Sequence, residues 1–324
     1  MATLLQSIQK MIDNISVTDR QEEYIETSTN YLNGHLTKEE NDLNIDCTFV
    51  NGSYERETII RPLDDVDIFA VLNEEKWSDE YGNLPKPQAV LTKIKNKLNS
   101  ISHYEGKVTQ DRPCVTITLS KINFDVLPSF KQKYGGYLIP NYDLESWIYS
   151  DPEELTTNLN DSHRNNEYKI KDLIKAIKYW NRENKKLLPS FHIEETVITY
   201  FNVNNFSNFE EGIRLWFDNA EYYLNKVKFK TQNHFDEGIK KVKNVKEKLN
   251  KAKEHLDKKE NVEAIQIWKE IFGKEFTISD INEAKTFSQN LSDGILKSTP
   301  SGFISNSIGK NIPASKGFYG NIQK

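Results

Sequence analysis

Two aspartates one residue apart, Asp65 and Asp67, open the apolar run Ile68-Phe69-Ala70-Val71-Leu72, which has the length and composition of a buried central strand. Side chains alternate across a strand, so both carboxylates project from one face, about 7 Å apart along the chain. Unpaired at the mouth of a core strand they repel one another and resist desolvation, so they require a cation or the protonation of one of them. A divalent metal meets that demand. Mg2+ takes one or two carboxylates together with substrate phosphates, and two such ions can clamp both oxygens of an in-line phosphoryl displacement. Asp-x-Asp also occurs in turns, caps and solvated strand ends, but two neighbours favour chemistry. Gly52-Ser53 lies upstream, where Gly52 permits close backbone approach and Ser53 offers a hydroxyl and an N–H to a phosphate. A third carboxylate, Asp125, follows in the strand-like run Ile122 to Pro128. Together they point to metal-dependent chemistry on a nucleoside triphosphate.

Gly-Ser, a spacer, Asp-Val-Asp on a strand and a single Asp on a later strand resemble the polymerase-β-type nucleotidyltransferases. Two downstream segments, Ile174-Lys175-Ala176-Ile177-Lys178-Tyr179-Trp180-Asn181 and Pro189-Ser190-Phe191-His192-Ile193-Glu194, look like the lysine-bearing helix and the Ser-aromatic-His segment of one branch of that superfamily. This branch holds cyclic GMP–AMP synthase, the oligoadenylate synthetases and the bacterial CD-NTases of CBASS antiphage signalling. The likeness covers roughly residues 45 to 205. It implies transfer of a nucleotidyl group from an NTP to a ribose hydroxyl, with a cyclic di- or trinucleotide as product and a downstream effector that responds to it. It also implies that Asp65, Asp67 and Asp125 hold two Mg2+ ions, Mn2+ being the alternative, and that Gly52, Ser53, Lys178 and Ser190 bind the donor triphosphate. Phe191 either stacks on a nucleobase or belongs to the core. Without the resemblance, Lys171, Lys175 and Lys178 read as a solvated lysine edge on their helix.

These residues need a scaffold. The expected fold is a mixed-sheet α/β nucleotidyltransferase core with an N-terminal helix (residues 1–165), a helical lobe (166–297) and a tail (298–324), the site lying in the cleft between the lobes. By resemblance, the N-terminal helix spans the back of both lobes. Apolar positions at Leu4, Leu5, Ile8, Met11, Ile12 and Ile15 predict that helix, and Thr18-Asp19 caps a second one. Strands are predicted over 44–51, from Asp65, over 113–119 and over 122–127, with a helix over 85–100. On the strand bearing Asp125, Asn123 and Leu127 share its face. The arginines in the spacer, Arg56 and Arg61, read as solvated loop residues and stay outside the site. Ile170, Leu173, Ile174, Ile177 and Trp180 form the stripe of a core helix. Ser190 has the position of an N-cap, with Glu194 slightly displaced from a capping box. The segment 206–223 is expected to hold two packed helical turns, 235–256 a long helix with a basic outer face, and 279–291 a last helix. That basic face is either merely solvated or a surface for nucleic acid or a regulatory partner.

With 324 residues the chain is long enough for two lobes and a substantial core. A net charge of −5 argues against a general nucleic-acid binder. No apolar run reaches the ~20 residues of a membrane span, and the N-terminus lacks the apolar stretch of a signal peptide, so a cytoplasmic protein without a membrane partner is expected. Cys47 and Cys114, the only cysteines, are expected as buried free thiols. They cannot form a Cys/His zinc site, so the zinc insertion with which the vertebrate DNA sensor grasps DNA has no counterpart here, and nucleic acid is not required. A monomer is expected, with room for a regulatory partner. The chain end, Gly320 to Lys324, departs from the small terminal residue that some relatives use for conjugation. Two other functions share the same residues. A tRNA-end or poly(A)-type RNA nucleotidyltransferase would use the same carboxylates and an RNA surface, and a catalytically silent nucleotide-binding module would keep the fold without the chemistry.

Overall fold

A computed structural model describes residues 3–277, 293–298, 304–305 and 310–311. Its elements run α1 (Leu4–Ile15), α2 (Asp19–Leu36), β1 (Ile45–Asn51), α3 (Gly52–Glu55), β2 (Asp65–Leu72), α4 (Glu74–Trp77), α5 (Pro87–Asn99), β3 (Val108–Asp111), β4 (Cys114–Thr118), β5 (Asn123–Lys131), β6 (Tyr137–Pro140) and β7 (Trp147–Ser150). Helices α6 (Pro152–Asn165), α7 (Ile170–Glu183), α8 (Ser190–Phe201), α9 (Phe209–Tyr223), α10 (Gln232–Asp257) and α11 (Asn261–Phe272) follow. Three two-residue strands, β8 (Lys297–Ser298), β9 (Ile304–Ser305) and β10 (Lys310–Asn311), pair into a small sheet. The helix expected over 279–291 lies outside the described residues.

The main sheet has the order β1-β2-β5-β4-β3, with β6 and β7 extending from the far end of β5. Only the β2/β5 pair within it is parallel. This mixed sheet with helices packed on it is the expected fold class. Strand β2 is central, which explains its unbroken apolar run: Ile68 to Leu72 are buried on both faces. Strand β3 escapes sequence reading because Val108 is its one buried residue, too little for a period to show.

Apolar packing falls into two large clusters. One joins the sheet to α2 and α5 through Ile25, Leu32, Val66, Ile68, Val90, Ile94, Phe124 and Val126. The other gathers α1 and α6 to α11 around Ile174, Ile177, Trp180, Trp216 and Trp268. Helix α1 therefore packs with the helical lobe, against α7 and α9, and α6 adds Leu159 to the same cluster. By packing, the lobes divide between β7 and α6, where Asp151 caps α6 by accepting from the N–H groups of Glu153 and Glu154.

Three local expectations are corrected. Segment 206–223 holds one 15-residue helix, α9, capped by Asn208 and burying Ile213, Trp216, Phe217 and Ala220 along one stripe. Ser190 is the first helical residue of α8 and Pro189 its N-cap, so the serine side chain does not cap. Cys47 is exposed, because β1 is an edge strand paired only with β2, while Cys114 is buried. No helix among the described residues is long and apolar enough to cross a membrane.

Candidate active site

The parallel pairing of β2 with β5 sets Asp67 beside Asp125 and Asp65 beside Asn123, at a strand spacing of about 4.8 Å. Each flanking carboxylate has a hydrogen-bond donor. Asn123 Nδ2 donates to Asp65 Oδ1 at 2.9 Å, and Thr116 Oγ1, on the next strand, donates to Asp125 Oδ1 at 2.6 Å. Burial, together with the negative charges of Asp125 and Asp65, pushes the Asp67 carboxyl up to about 7, against the opposing pull of Arg56. Burial raises Asp125 as well, with Thr116 opposing, and drives the neighbouring Cys114 thiol far up. The cluster thus carries uncompensated negative charge, which suits a divalent cation, although no group of three or more His, Cys, Asp or Glu side chains among the described residues is already closed around a point that could hold one. Asp65 and Asp125 instead face their donors.

Gly52 must be glycine. Its φ is +75°, and a Cβ there would lie 1.7 Å from Asp67 Oδ2. The turn it opens is fastened by the Ser53 carbonyl, which accepts from the N–H groups of Thr58 (2.8 Å) and Ile59 (2.9 Å).

The spacer then crosses to the other lobe. Arg56, read from sequence as solvated, is only 6% exposed, and its Nε donates to Glu194 Oε2 on α8 at 2.6 Å. Thr58 Oγ1 donates to Glu194 Oε1 at 2.7 Å. Lys178 of α7, also 6% exposed, donates to the same Oε1 and to Thr58 Oγ1 (3.0 Å) and carbonyl (3.3 Å). Burial would raise the Glu194 carboxyl, but Lys178 and Arg56 outweigh it and hold the group below its ordinary value. The solvated-edge alternative for Lys178 is therefore excluded. Its ammonium is buried and already bound to a carboxylate, so it offers a field to the cleft but no free N–H group. Lys171 and Lys175, earlier on α7, pair with Glu57 and Asp172, both at 3.0 Å.

Ser53 and Ser190, one from each lobe, line a narrow crevice of about 40 Å³ together with Asp64, Lys178, Asn181, Arg182 and Lys186. Neither Arg182 nor Lys186 was marked by the sequence. Phe191 points the other way. It is 48% exposed rather than core, and borders a cavity of about 450 Å³ with Glu195, Asn225, Tyr223 and Lys228. Lys228 Nζ stands 5.8 Å from the Phe191 ring centre. His192 fixes this wall. Its Nε2 accepts from the Asn225 N–H at 2.8 Å, so Nδ1 donates to Glu195 at 2.8 Å.

With this geometry in place, the likenesses to known proteins are specific. A family model described as Second Messenger Oligonucleotide or Dinucleotide Synthetase domain matches residues 1–163. A cyclic AMP-AMP-AMP synthase from an Acinetobacter species is 34% identical over 175 residues, which cover 51% of this chain and 48% of that protein. The chain thus matches about half the length of that relative. CdnC of Escherichia coli MS115-1, solved with ATP, superposes with a TM-score of 0.67 at 15% identity, covering 84% of this chain and 98% of CdnC. In a HORMA-deltaN complex CdnC gives 0.66 at 16% identity over the same shares. The cyclic AMP-GMP synthase DncV of Vibrio cholerae superposes with a TM-score of 0.56 at 14% identity, covering 72% of this chain and 70% of DncV. The structural likenesses establish the polymerase-β-like fold with its helical lobe.

Proposed function

The chain belongs to the Second Messenger Oligonucleotide or Dinucleotide Synthetase family, the bacterial CD-NTases, and from that premise we propose that it joins NTPs into a cyclic di- or trinucleotide signal in antiphage defence. The strongest support is the register that sets Asp67 beside Asp125, with the Gly52 turn pressed against Asp67 and Ser53 facing Ser190 across the crevice. The acceptor ribose hydroxyl bonds to the α-phosphorus of the donor NTP, the bond to the bridging oxygen breaks, and pyrophosphate leaves. A second transfer of the same kind closes a dinucleotide ring, and a third closes a trinucleotide. Asp65, Asp67 and Asp125 are the groups to hold Mg2+, which when bound supplies phosphate charge neutralisation and a more acidic acceptor hydroxyl. The residues of the chain do the positioning on which such transfers depend. Ser53 and Ser190 take the donor phosphates, Lys178 adds its field from beneath, Thr116 and Asn123 orient their carboxylates, and Phe191 offers its exposed ring to a nucleobase. The ~450 Å³ cavity beside that ring is within the size range of small-ligand sites.

In this reading the substrates are NTPs alone, and the reaction needs neither a nucleic-acid primer nor a nucleic-acid activator. A HORMA-type regulator and an effector that senses the product are the proposed partners, and the cytoplasm the proposed location. Incubating the purified protein with all four NTPs and Mg2+ or Mn2+, without primer, tests the reaction. The expected product loses every terminal phosphate on closure and resists phosphatase. A phosphatase-sensitive product, or extension of added RNA without any resistant species, would mark an RNA nucleotidyltransferase instead, and no product with any NTP, with or without the regulator supplied, a silent binding module.

A further inference from the structure

Four cations stand at or behind the crevice between Ser53 and Ser190, and they differ in what each would leave behind on turning to a phosphate. Arg56 and Lys178 share Glu194, whose side chain is 1% exposed. Withdrawing either leaves a buried carboxylate short of a partner, the most expensive way to break an ion pair. Arg182 and Lys186 share Asp64. Arg182 NH2 donates to Asp64 Oδ2 at 2.7 Å and Lys186 Nζ to Oδ1 at 3.0 Å, and the Asp64 side chain is 46% exposed. Released, Asp64 is taken up by water; the Lys186 pair, half-exposed on both sides, costs little to open, and Arg182, 13% exposed, keeps its contact with the Ile60 carbonyl when Asp64 leaves. Only the second pair of cations is exchangeable.

We propose that Arg182 and Lys186 are the side chains that grip the donor triphosphate, with Asp64 a carboxylate stand-in that holds them ready and yields to phosphate. The assignment rests on the NTP-binding reading of this cleft and adds two residues and a competitor to it. Carboxylate and phosphate present oxygens to a guanidinium in the same way, so the Asp64 contact already has the geometry of the ligand contact. Arg182 is preset on its other nitrogen, where NH1 donates to the Ile60 carbonyl at 3.4 Å. Lys186 is placed by a built turn. Its N–H donates to the Asn181 carbonyl at 2.8 Å, and the buried Asn181 side chain clasps Leu188 through two hydrogen bonds of 2.7 and 2.9 Å. The crevice of about 40 Å³ has room for about three waters at ~10–15 Å³ each, too little for a triphosphate, which would lie across its mouth. Lys186, 56% exposed, stands at that mouth, whereas Lys178 lies buried.

The test is equilibrium binding of inorganic tripolyphosphate and of ATP to the full-length protein in EDTA, at two salt concentrations, with the melting temperature of each variant recorded. Lys186→Met and Arg182→Met should each weaken tripolyphosphate about tenfold and flatten its salt dependence, Arg182→Lys should recover part of the loss, and Asp64→Asn should tighten binding severalfold. Unchanged tripolyphosphate affinity in Lys186→Met, whose exposed side chain makes a folding defect an inadequate excuse, overturns the proposal. So does weaker binding in Asp64→Asn with an unaltered melting temperature. This outcome is separable from the synthase reading. Loss of tripolyphosphate binding in the variants, with no cyclic product from the wild type, keeps the grip and discards the synthase, and the converse pattern discards the grip alone.

Discussion

Replacing Asp67 by Asn should make the metal-free protein more stable, by an amount that grows with pH. Burial and the charge of Asp125 push the folded carboxyl up to about 7 from an ordinary 3.8, so ionising it in the fold is uphill. The raised value fixes the sign. The folded state holds the proton between pH 4 and 7 while the unfolded chain has released it, so wild-type stability declines as pH rises through that window and levels off above it. Asn has no proton to lose and shows no such decline. At ~1.36 kcal/mol per pKa unit, the full difference is on the order of 4 kcal/mol, of which about 2–3 kcal/mol accumulates between pH 5 and pH 8. Urea denaturation of both proteins in EDTA at pH 5, 6, 7 and 8 reads this directly, provided their m-values agree. Mg2+ at pH 8 should then restore much of the wild-type loss and help the variant far less, because a ligand stabilises only the form that binds it. Parallel stability lines for the two proteins from pH 5 to 8 would refute the claim that Asp67 carries the crowded charge of this cluster.

Three further outcomes are expected. Asp125→Asn should leave the fold intact and reduce nucleotidyl transfer to below a few per cent, and retention of more than that in a product assay would remove Asp125 from the chemistry. Gly52→Ala places a methyl 1.7 Å from Asp67 Oδ2 at a φ of +75°. Left-handed strain alone costs about 1–2 kcal/mol, and the displaced carboxylate should lower kcat by at least roughly a hundredfold, so near-normal turnover would mean that the turn does not set Asp67. Lys178→Ala should cost about 1–3 kcal/mol of stability, because it removes one donor from the buried Glu194 carboxylate while Arg56 and Thr58 stay bound to it, visible as a fall in melting temperature. A fold-neutral variant with only a raised KM would instead make Lys178 a direct phosphate ligand.

The strands that carry the three carboxylates were legible because their signal is local. Ile68 to Leu72 is an unbroken apolar run, and the alternation around Asp125 put Asn123 and Leu127 on its face. Parallel pairing then did what no single strand could announce, setting Asp67 against Asp125. Helix α7 showed equally well through its stripe of Ile and Leu, yet the same stripe misplaced Lys178. A lysine one position past a core isoleucine reads as an edge residue, and only a carboxylate from another helix makes its burial tolerable. Arg56 fails for the same reason, since its partner lies 138 residues away. Arg182 and Lys186 escaped because a cation at a helix end is ordinarily a response to the helix dipole, and nothing in sequence tells that use from a shared carboxylate across the cleft.

Those long-range pairs also explain how two serines from different lobes come to line one crevice. Ser53 is tied through its carbonyl to the Thr58 N–H, and the Thr58 hydroxyl to Glu194. Glu194 stands one turn of α8 from Ser190. The backbone at Ser53 and the first turn of α8 at Ser190 are therefore tied through Thr58 and Glu194 by buried hydrogen bonds rather than only by the balance of two large cores. Apolar packing could hold the lobes together with the cleft still free to slide by an ångström, since such contacts are not directional. A charged knot satisfied on both carboxylate oxygens cannot slide without exposing or stranding a partner. The polar residues that a strand-and-helix reading passes over as spacer are, on this geometry, what gives the crevice its fixed width.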